Sequence, residues 1–427
     1  MDPIDFLYSL ERLGMKLGLE NINTLCAALR DPQRSFRSII IAGTNGKGSV
    51  TVMVETALRA AGHRTARFTS PHLVRLEERF VIDGAEVGTD ALRNSAGKVQ
   101  RAVESLIAEG KLEGAPTFFE CATAIAFDLF RAAGVEVAVL EVGLGGRLDA
   151  TNVVLPMAAA ITTIDLDHQA QLGDSLESIA REKAGVIKPG IAVVCGELPD
   201  VARRIVAAAC AEQGARMIEA DSVVQLRSRA AARMTMVDVR TATRSLEAVP
   251  LALPGRHQVG NAAVAIALLD ELTRQGLAVP DAALRSGLSD ARWPARLEHF
   301  TRAGAEVLLD AAHNPAGARA LAAYLTDIGW SSVTLVFGAM HDKDVGRMLE
   351  PLMPFCASII CTTAPSPRAL TASAVAGIAT GLRTAQTPEI IAIDDPPAAL
   401  DTACRPGARV VSAGSIFLIG PLRDILR

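Results

Sequence analysis

Short runs of apolar and β-branched residues alternate along this chain with longer stretches of helical period. In the first part of the chain the predicted strands are RSIIIAG, RTARFT, VEVAVLEVG, AAAITTID and IAVVCGE. A second series, between residues 305 and 414, comprises AEVLLDAA, SVTLVFGA, ASIICTTA, EIIAIDD and ARVVSAG. The alternation is typical of mostly parallel sheets covered by helices, so it predicts an α/β fold.

The same pattern divides the chain. At 427 residues the chain is too long for one core of ordinary size, which predicts two domains. Trp293 and Pro294 interrupt any helix within a polar stretch, so we place the boundary there, with domains at 1–292 and 293–427. The second domain is predicted to be the smaller one and Rossmann-like. From about 217 to 250 polar and apolar residues alternate, which predicts a small antiparallel addition to the first domain.

Composition narrows the classes of function. The formal net charge is -4, so nothing favours nucleic acid as a partner. Asp2 and Asp5 stand where a signal peptide carries positive charge, and no apolar stretch reaches the roughly 18 residues of a membrane helix. We therefore expect a cytoplasmic protein with no membrane partner. The seven cysteines are scattered without a Cys-x-x-Cys pair, which predicts buried thiols rather than a zinc site.

The stretch from 38 to 62 predicts a phosphate loop between a strand and a helix, and hence a P-loop nucleotide-binding domain. Its glycines let backbone N–H groups approach an anion, the helix amino terminus adds positive potential, and Lys47 supplies a full charge. The spacing differs from the standard loop, since Ile41 takes the place of the first glycine and Gly48 follows the lysine. The alternative is a plain glycine-rich turn. The residues of this phosphate loop are Gly43, Thr44, Asn45, Gly46, Lys47, Gly48 and Ser49.

Polar side chains follow three further strands, where the ligands of parallel sheets collect. Ser70 has a hydroxyl able to bind magnesium, although Ser-Pro is also ordinary turn chemistry. Glu141 ends an apolar strand, where a carboxylate without a cation would be costly; a glutamate facing water at the edge is the alternative. Asp165, Asp167 and His168 follow the next strand and suggest a second divalent site, though a histidine there is often a helix cap.

Lys183 lies near the end of the helix predicted in SLESIAREKAGVIKPG. Its ammonium would repel a metal ion, because the ordinary lysine pKa of about 10.4 keeps the group charged at neutral pH. Carbamylation by carbon dioxide would reverse the sign and create an anion able to hold magnesium. The alternative is a surface lysine placed favourably at a helix carboxyl end.

The second series of strands has polar residues at the same kind of position. Asp310, His313 and Asn314 come between a strand and a helix in LLDAAHNPAGARAL, which is the arrangement of a ligand site. Arg296, at the domain junction, is a cation suited to a phosphate, with an interdomain salt bridge as the alternative.

Together these stretches resemble the Mur ligase superfamily, whose phosphate loop has the form Gly-Thr-Asn-Gly-Lys-Gly-Ser. Within it the chain resembles bacterial folylpolyglutamate synthases, commonly bifunctional with dihydrofolate synthase. The resemblance runs in family order from residue 42 to 344, through AGTNGKGS, TSPHL with ERF, TFFECATAIAF, EVGLGGRLDATN, DLDHQAQLG, REKAGVIK, LPGRHQVGNA, DAAHNP and HDKD. The chain departs from it near the last strand, where GSIFLIG stands in place of Gly-Ser-Phe-His, so a histidine ligand is absent there.

The resemblance implies an ATP-dependent ligase. ATP would phosphorylate a substrate carboxylate to an acyl phosphate, and the amino group of L-glutamate would attack it to form an amide. The acceptors would be dihydropteroate, giving dihydrofolate, and reduced folates, giving folylpolyglutamates. ATP, Mg²⁺ at two sites and a carbamylated lysine are the implied cofactors, with a monovalent cation as a further candidate. A monomer that binds only small molecules is expected.

The resemblance also assigns roles to residues. The phosphate loop, Asn261, Arg296 and Asp310 would bind ATP. The metal ligands would be Ser70, Glu141, His168 and Lys183 as its carbamate. The catalytic residues would be Lys183, His168, Glu141 and His313. Phe119 and Asp149 would contact the pterin, a flat heterocycle, although a simple core role for Phe119 is the alternative.

Two other functions fit parts of the pattern. A peptidoglycan Mur ligase uses the same chemistry, but it carries a UDP-binding domain ahead of the loop, and about 40 residues precede the loop here, below the usual domain size. A P-loop NTPase that acts as a switch would show no glutamate-dependent ADP release. It also leaves Glu141, His168 and Lys183 without a shared purpose.

Overall fold

The computed structural model describes residues 1–14, 18–231, 234–382 and 388–427. The chain forms two compact units. The first unit consists of Met1–Ser228, Met236–Pro250 and Gly260–Ala291, and the second of Arg229–Thr235, Leu251–Val259 and Arg292–Arg427. The chain thus passes from the first unit to the second for the last time between Ala291 and Arg292, just before Trp293. The sequence pattern did not predict that the two short segments 229–235 and 251–259 group with the second unit.

The described part of the chain alternates strands and helices, with short 3₁₀ turns between some of them. The strands are β1 (Arg37–Ala42), β2 (Thr65–Phe68), β3 (Phe80–Ile82), β4 (Ala85–Glu86), β5 (Val137–Glu141), β6 (Ala158–Ile161), β7 (Ala192–Cys195), β8 (Arg216–Glu219), β9 (Gln225–Ala231), β10 (Met234–Arg240), β11 (Ser245–Leu251), β12 (Glu298–Arg302), β13 (Ala305–Leu309), β14 (Val333–Phe337), β15 (Cys356–Cys361), β16 (Glu389–Ala392) and β17 (Arg409–Ala413). The helices are α1 (Pro3–Ser9), α2 (Glu20–Ala28), α3 (Lys47–Ala60), α4 (Thr89–Ala108), α5 (Phe118–Ala132), α6 (Gln169–Leu172), α7 (Leu176–Ala184), α8 (Asp200–Glu212), α9 (Ala220–Val223), α10 (Arg256–Arg274), α11 (Asp281–Ser289), α12 (Pro315–Asp327), α13 (Val345–Leu349), α14 (Ala372–Gly381), α15 (Pro396–Ala403) and α16 (Ile416–Leu426).

The first unit is built on an eight-stranded sheet in the order β4-β3-β2-β5-β1-β6-β7-β8. Strand β1 lies inside it and pairs in parallel with β5 and β6, so its apolar run is buried. Ile41 stands opposite Glu141 in the register. The phosphate loop and the end of β5 therefore leave the sheet at the same edge. This mostly parallel sheet confirms the predicted fold class.

Both edges of that sheet differ in detail from the sequence prediction. Residues 217–219, predicted to be antiparallel, belong to β8, which pairs in parallel with β7, so that part of the prediction is wrong. As an edge strand β8 is only half-buried, and its mixture of polar and apolar residues resembles that of a solvated antiparallel strand. The three-stranded sheet β11-β10-β9 accounts for the rest of the segment. At the other edge β3 and β4 are antiparallel strands too short to give a periodic signal.

The second unit is built on a six-stranded sheet in the order β12-β13-β17-β14-β15-β16. The five strands predicted from the second apolar series are β13 to β17, and they pair in parallel. Strand β12 adds an antiparallel edge to β13. Its sequence, EHFTR, is largely polar because only part of an edge strand is covered, and the apolar pattern did not reveal it.

Local sequence signals define the helices that carry the site. The Thr117 hydroxyl accepts a hydrogen bond from the Glu120 N–H at 3.2 Å, while the Glu120 carboxylate accepts one from the Thr117 N–H at 2.7 Å. This capping box begins α5 at Phe118 and puts Phe119 in its first turn. Within the described residues, no helix is long and apolar enough to cross a membrane.

Candidate active site

Two glycines shape the phosphate loop between β1 and α3. Gly43 has a φ of +147°, and a Cβ there would stand 2.0 Å from the Thr162 hydroxyl oxygen. Gly46 has a φ of +85°, and a Cβ there would stand 2.3 Å from the Asn261 side-chain oxygen. Both positions combine a left-handed backbone with close contact, so each requires glycine. The second contact also places Asn261, a predicted ATP ligand, directly against the loop.

The loop is braced by the segment that follows β6. The Thr44 N–H donates to the Thr163 carbonyl at 2.8 Å, and the Asn45 N–H donates to the Thr163 hydroxyl at 3.0 Å. The Thr162 hydroxyl donates to the Asn45 carbonyl at 2.6 Å. Ser49 lies in the first turn of α3 and is buried. These bonds hold the loop in one conformation before any anion binds, which favours tight binding.

Two lysines share one backbone carbonyl of the loop. The Lys47 ammonium donates to the Gly43 carbonyl at 3.1 Å and to the Thr44 carbonyl at 3.2 Å. The Lys183 side chain donates to the same Gly43 carbonyl at 2.9 Å. The structure therefore brings Lys183, from the end of α7, to the phosphate loop.

Lys183 is 4% exposed, which excludes the surface lysine that the sequence left open. Burial, together with the positive charge of Lys47, lowers the pKa of Lys183 to about 7, although Asp167 and Asp149 act in the opposite direction. In a substantial fraction of the molecules Lys183 is then a neutral amine at neutral pH. A neutral amine is the form that reacts with carbon dioxide.

Glu141 ends β5 and is 5% exposed, so it does not face water at the edge of the sheet. Its carboxylate accepts a hydrogen bond from the Ser70 N–H at 3.1 Å. The predicted pair of metal ligands is therefore brought together by the structure. Among the described residues no group of three or more His, Cys, Asp or Glu side chains could hold a metal. One carboxylate and a nearby hydroxyl suit Mg²⁺ that is held largely by substrate phosphates and water.

The glycine-rich loop after β5 is fastened to the end of α7. The Arg147 N–H donates to the Glu182 carbonyl at 2.8 Å, and the Asn152 amide donates to the Gly185 carbonyl at 3.0 Å. A Cβ on Gly146 would stand 2.9 Å from the Glu182 carbonyl oxygen, so only glycine allows this approach. These contacts hold Lys183 beside the loop that leaves β5.

Asp149, predicted to contact the pterin, is engaged within its own loop. Its carboxylate accepts from the Leu144 N–H at 2.9 Å, from the Thr151 N–H at 3.0 Å and from the Thr151 hydroxyl at 2.6 Å. It is 5% exposed, and burial raises its pKa. The structure therefore gives Asp149 a loop-forming role that sequence reasoning missed.

Phe119 is half-buried and lies against the same loop. A Cβ on Gly143 would stand 2.7 Å from the tip of its ring, and its ring centroid lies 5.8 Å from that of Phe68. Phe119 is thus packed on the core and also adjacent to the loop after Glu141. The geometry leaves both of its predicted roles, pterin contact and packing, in place.

His168 precedes α6 with a left-handed backbone, at a φ of 50°. Its Nε2 lies 3.9 Å from an Asp167 carboxylate oxygen, and the same carboxylate accepts the His168 N–H at 2.8 Å. A non-glycine residue in this conformation is uncommon and often marks a functional turn. Its role as a metal ligand stays a prediction.

In the second unit, Asp310 shapes the turn that carries Arg296. Its carboxylate accepts from the Leu297 N–H at 3.0 Å and from the Ala312 N–H at 2.9 Å. Both neighbours of Arg296 are left-handed, with a φ of 58° at Ala295 and 50° at Leu297. Burial raises the pKa of Asp310, while the nearby Arg296 charge opposes this. Strained backbone on both sides of a cation is typical of a binding turn.

A partly buried ion pair supports the same turn. Arg423 on α16 donates to both carboxylate oxygens of Glu298, at 2.6 and 2.9 Å. One of those oxygens also accepts the Ala295 N–H at 2.9 Å. Because a bidentate arginine is a rigid clamp, Arg423 fixes Glu298 and through it the turn at Arg296. Sequence reasoning missed Arg423, since nothing near it in the chain indicates chemistry.

The segment after β13 positions the remaining predicted residues. Asn314 is the N-cap of α12, and its side chain accepts the Gly317 N–H at 2.8 Å. Nδ1 of His313 bonds the Ala311 carbonyl at 2.9 Å. A carbonyl only accepts, so this bond places the proton of the neutral ring on Nδ1.

Two domain families match the chain. The Mur ligase middle domain matches residues 90–269, and the Mur ligase, glutamate ligase domain matches residues 295–416. Their order along the chain and the phosphate loop define a ligase of the Mur type.

Individual proteins and solved structures agree with that class. Folylpolyglutamate synthase of Lacticaseibacillus casei is 33% identical over 431 residues, covering 100% of this chain and 98% of the relative. The structure of Mycobacterium tuberculosis folylpolyglutamate synthase complexed with ADP and AMPPCP has a TM-score of 0.91 at 33% identity, covering 100% of this chain and 99% of that one. A bifunctional folylpolyglutamate synthase/dihydrofolate synthase with Mn, AMPPNP and L-glutamate bound has a TM-score of 0.84 at 31% identity, covering 100% and 98%.

Some relatives are longer. A probable bifunctional folylpolyglutamate synthase/dihydropteroate synthase of Haloferax volcanii is 35% identical over 367 residues, which are 84% of this chain and 42% of the relative. This chain thus spans about two fifths of that protein. The chain belongs to the folylpolyglutamate synthase and dihydrofolate synthase family of Mur ligases.

Proposed function

We propose that the chain is an ATP-dependent ligase that joins L-glutamate to dihydropteroate and to reduced folates. In the first step the γ-phosphoryl group of ATP passes to an oxygen of the acceptor carboxylate, and ADP leaves. In the second step the amino nitrogen of L-glutamate attacks the acyl carbon, the bond to phosphate breaks, and the nitrogen loses a proton. Family membership supports this reaction class.

The observation that carries the proposal is the arrangement around the Gly43 carbonyl. Lys47 and Lys183 both donate to this oxygen, at 3.1 and 2.9 Å. The adjacent strand β5 ends at Glu141, opposite Ile41 in the register. A nucleotide loop, a buried carboxylate and a buried amine therefore meet at one sheet edge. A simple NTPase switch has no use for the buried amine.

In this proposal the phosphate loop binds the ATP phosphates. Its backbone N–H groups and the amino terminus of α3 attract anions, and Lys47 adds a positive charge. On phosphate binding, Lys47 would exchange its carbonyl partners for phosphate oxygens. Asn261, Arg296 and Asp310 are proposed to bind or orient the nucleotide, and His313 is proposed to assist the reaction. We also propose a monomer located in the cytoplasm.

Glu141 and Ser70 are the residues that would hold Mg²⁺ together with the phosphates. They fit it because their donors are oxygens, the ligand type that Mg²⁺ prefers. When bound, the metal neutralises charge that develops on the transferring phosphoryl group. His168 and carbamylated Lys183 are proposed for a second Mg²⁺, and a monovalent cation stays a prediction.

Carbamylation of Lys183 is supported by its lowered pKa. The neutral amine would attack carbon dioxide, forming a nitrogen to carbon bond and releasing one proton. The resulting carbamate is an anion, so its repulsion with Lys47 becomes attraction. Phe119 is proposed to pack against the pterin, and Asp149 to hold the loop on which the pterin rests.

The first experiment is an assay of ADP release with ATP, magnesium and L-glutamate, with dihydropteroate or a reduced monoglutamyl folate as the acceptor. Turnover with both acceptors is the expected result. Turnover with only one would restrict the proposed reaction to that acceptor. If neither acceptor supported ADP release while a UDP-sugar peptide did, the proposal would be overturned in favour of a peptidoglycan ligase.

A further inference from the structure

Arg79 is a buried guanidinium that the proposed roles do not use. It precedes β3 and is 7% exposed. Its Nε–H donates to Nδ1 of His72 at 2.9 Å, and the ring of Phe118 lies 5.0 Å from the guanidinium carbon. No carboxylate of the described residues lies within 4.0 Å of Arg79 as an ion-pair partner. A cation is therefore buried here without a direct counter-charge.

The carboxylates that act on Arg79 either bond other groups or lie too far away to form an ion pair with it. Burial lowers the pKa of Arg79 to about 10, against the influence of Tyr8, Glu11, Glu141 and Glu78, so the group stays charged at neutral pH. The carboxylate of Glu78 accepts three backbone N–H groups, those of residues 73 to 75, at 2.6, 3.1 and 2.9 Å. These bonds commit Glu78 to the loop after β2. The structure thus leaves the Arg79 charge for another anion.

Burying an uncompensated charge is costly, and such groups are kept where they meet a ligand. The planar fork of arginine matches a carboxylate with two parallel hydrogen bonds. Only the Nε–H of Arg79 is engaged by His72. The two terminal nitrogens can therefore form such a pair.

His72, which accepts from Arg79, carries a second donor on the same ring. Arginine only donates, so Nδ1 of His72 must accept, and the neutral ring then carries its proton on Nε2. His72 lies two residues after Ser70, whose N–H bonds the Glu141 carboxylate at 3.1 Å. Arg79 and His72 therefore border the carboxylate proposed to hold the metal.

The surroundings favour an aromatic acid over a phosphate. The ring of Phe118 lies beside Arg79, and the ring of Tyr8 lies 6.1 Å from that of Phe118. Phe119, the proposed pterin contact, is the next residue of α5. ATP phosphates already have the phosphate loop and Lys47. A carboxylate at the end of an aromatic system fits both the charge and the apolar rings.

We propose that Arg79, assisted by His72, binds the carboxylate of the acceptor substrate, the group that becomes the acyl phosphate. This inference rests on the proposed function and specifies how that site selects its acceptor. The guanidinium holds the acceptor acid near Ser70 and Glu141. An acceptor whose carboxylate is replaced by a neutral amide loses this contact.

The test compares binding of dihydropteroate with binding of its carboxamide analogue, in wild-type protein, Arg79→Gln and Arg79→Lys. We expect wild-type protein to prefer the acid at least tenfold. Arg79→Gln should bind the two ligands equally, and Arg79→Lys should show an intermediate preference. The KM for ATP should stay within about twofold. A purely structural role would weaken both ligands alike and lower the melting temperature without removing the preference.

A preserved preference for the acid in Arg79→Gln would overturn the inference, as would wild-type protein that binds acid and amide equally. If Arg79→Gln does not fold, His72→Leu takes its place, and the acid preference should fall severalfold while Arg79 remains. An unchanged preference in that variant would also count against the proposal. Wild-type protein that binds neither ligand would instead contradict the proposed function.

Discussion

At the scale of single residues, Lys183 is the position whose chemistry depends most on its surroundings. Spacing along the chain left it open whether this lysine is exposed or part of a site. The structure buries it against the Gly43 carbonyl and lowers its pKa to about 7. We expect Lys183→Ala to abolish amide synthesis while ATP binding is largely retained, because the loop N–H groups and Lys47 remain. Amide formation and ATP affinity, measured on the same preparation, check this.

Lys98→Ala is a suitable control for that variant. Lys98 lies on α4 and pairs with Asp128 at 3.0 Å, away from the phosphate loop, and Arg131 also pairs with Asp128. Its replacement should leave turnover near the wild-type value. Near-normal turnover in Lys183→Ala would reject the carbamate proposal.

The contacts of Asp149 distinguish two interpretations that the sequence alone could not separate. Family resemblance predicted a pterin contact, whereas its carboxylate holds Leu144 and Thr151. Asp149→Asn replaces an acceptor by a donor facing these N–H and O–H groups. We expect a loss of roughly 1–3 kcal/mol in the free energy of unfolding, measured by urea denaturation. Unchanged stability with a raised KM for the pterin substrate would favour direct contact instead.

At this scale the sequence revealed side chains next to strands but not their partners. Glu141 and Asp310 were found because polar residues follow apolar strands, whereas Lys183 was singled out near the end of a predicted helix. Arg423 was missed because its partner Glu298 lies 125 residues away in the chain. Arg79 was missed because the sequence shows neither its burial nor its bond to His72. Periodicity carries no information about such pairings.

At the scale of elements, the phosphate loop depends on two positions where only glycine fits. Gly43→Ala should weaken ATP binding at least tenfold, because its Cβ would stand 2.0 Å from the Thr162 hydroxyl and displace the brace. Gly62→Ala is the matched control, since Gly62 also has a positive φ but nothing within 4 Å. That control should cost about 1–2 kcal/mol of stability and leave the ATP Kd unchanged. Equal ATP affinity in both variants would contradict the steric argument.

The turn at Arg296 makes a similar test possible in the second unit. Arg423→Met removes the bidentate partner of Glu298 and frees the turn that Glu298 holds through the Ala295 N–H. We expect the KM for ATP to rise several-fold with a smaller change in kcat, because the effect acts through Arg296.

Arg409→Met is the control for that variant, because Arg409 belongs to the same unit but lies over Trp330. It should leave the KM for ATP unchanged. A uniform loss of stability without any change in the KM would show that Arg423 is only structural.

Element prediction succeeded where strands are buried on both faces. Strands β1, β5, β13, β14 and β17 are apolar runs because both sides of a parallel sheet are covered. Among the edge strands β16 was found, whereas β8 was assigned to the wrong sheet and β12 was not found. Edge strands are half solvated, so their sequences resemble loops or antiparallel strands.

At the scale of the whole molecule, the cysteines report on the integrity of both units. All seven are free thiols, six of them buried and Cys356 partly exposed. Burial raises the pKa of Cys26, Cys356 and Cys361 to about 12 and that of Cys121 and Cys195 also upwards. At pH 8 a thiol reagent should therefore react slowly with native protein and rapidly with seven thiols in denaturant. Fast native reaction with several thiols would contradict the buried placement.

The shared carbonyl of Gly43 can also be followed by its infrared absorption. The carbonyls of Ile41 and Ala42 accept the N–H groups of Val142 and Thr162 and so belong to the sheet, whereas Gly43 is the first carbonyl of this strand beyond it. Its oxygen accepts hydrogen bonds from both Lys47 and Lys183, and two such donors should polarise the C=O bond more than an ordinary peptide partner does. Nucleotide binding would withdraw one of these donors, and carbamylation the charge of the other. A single isotope-labelled bond at Gly43 would thus register both events as separate shifts of one infrared band.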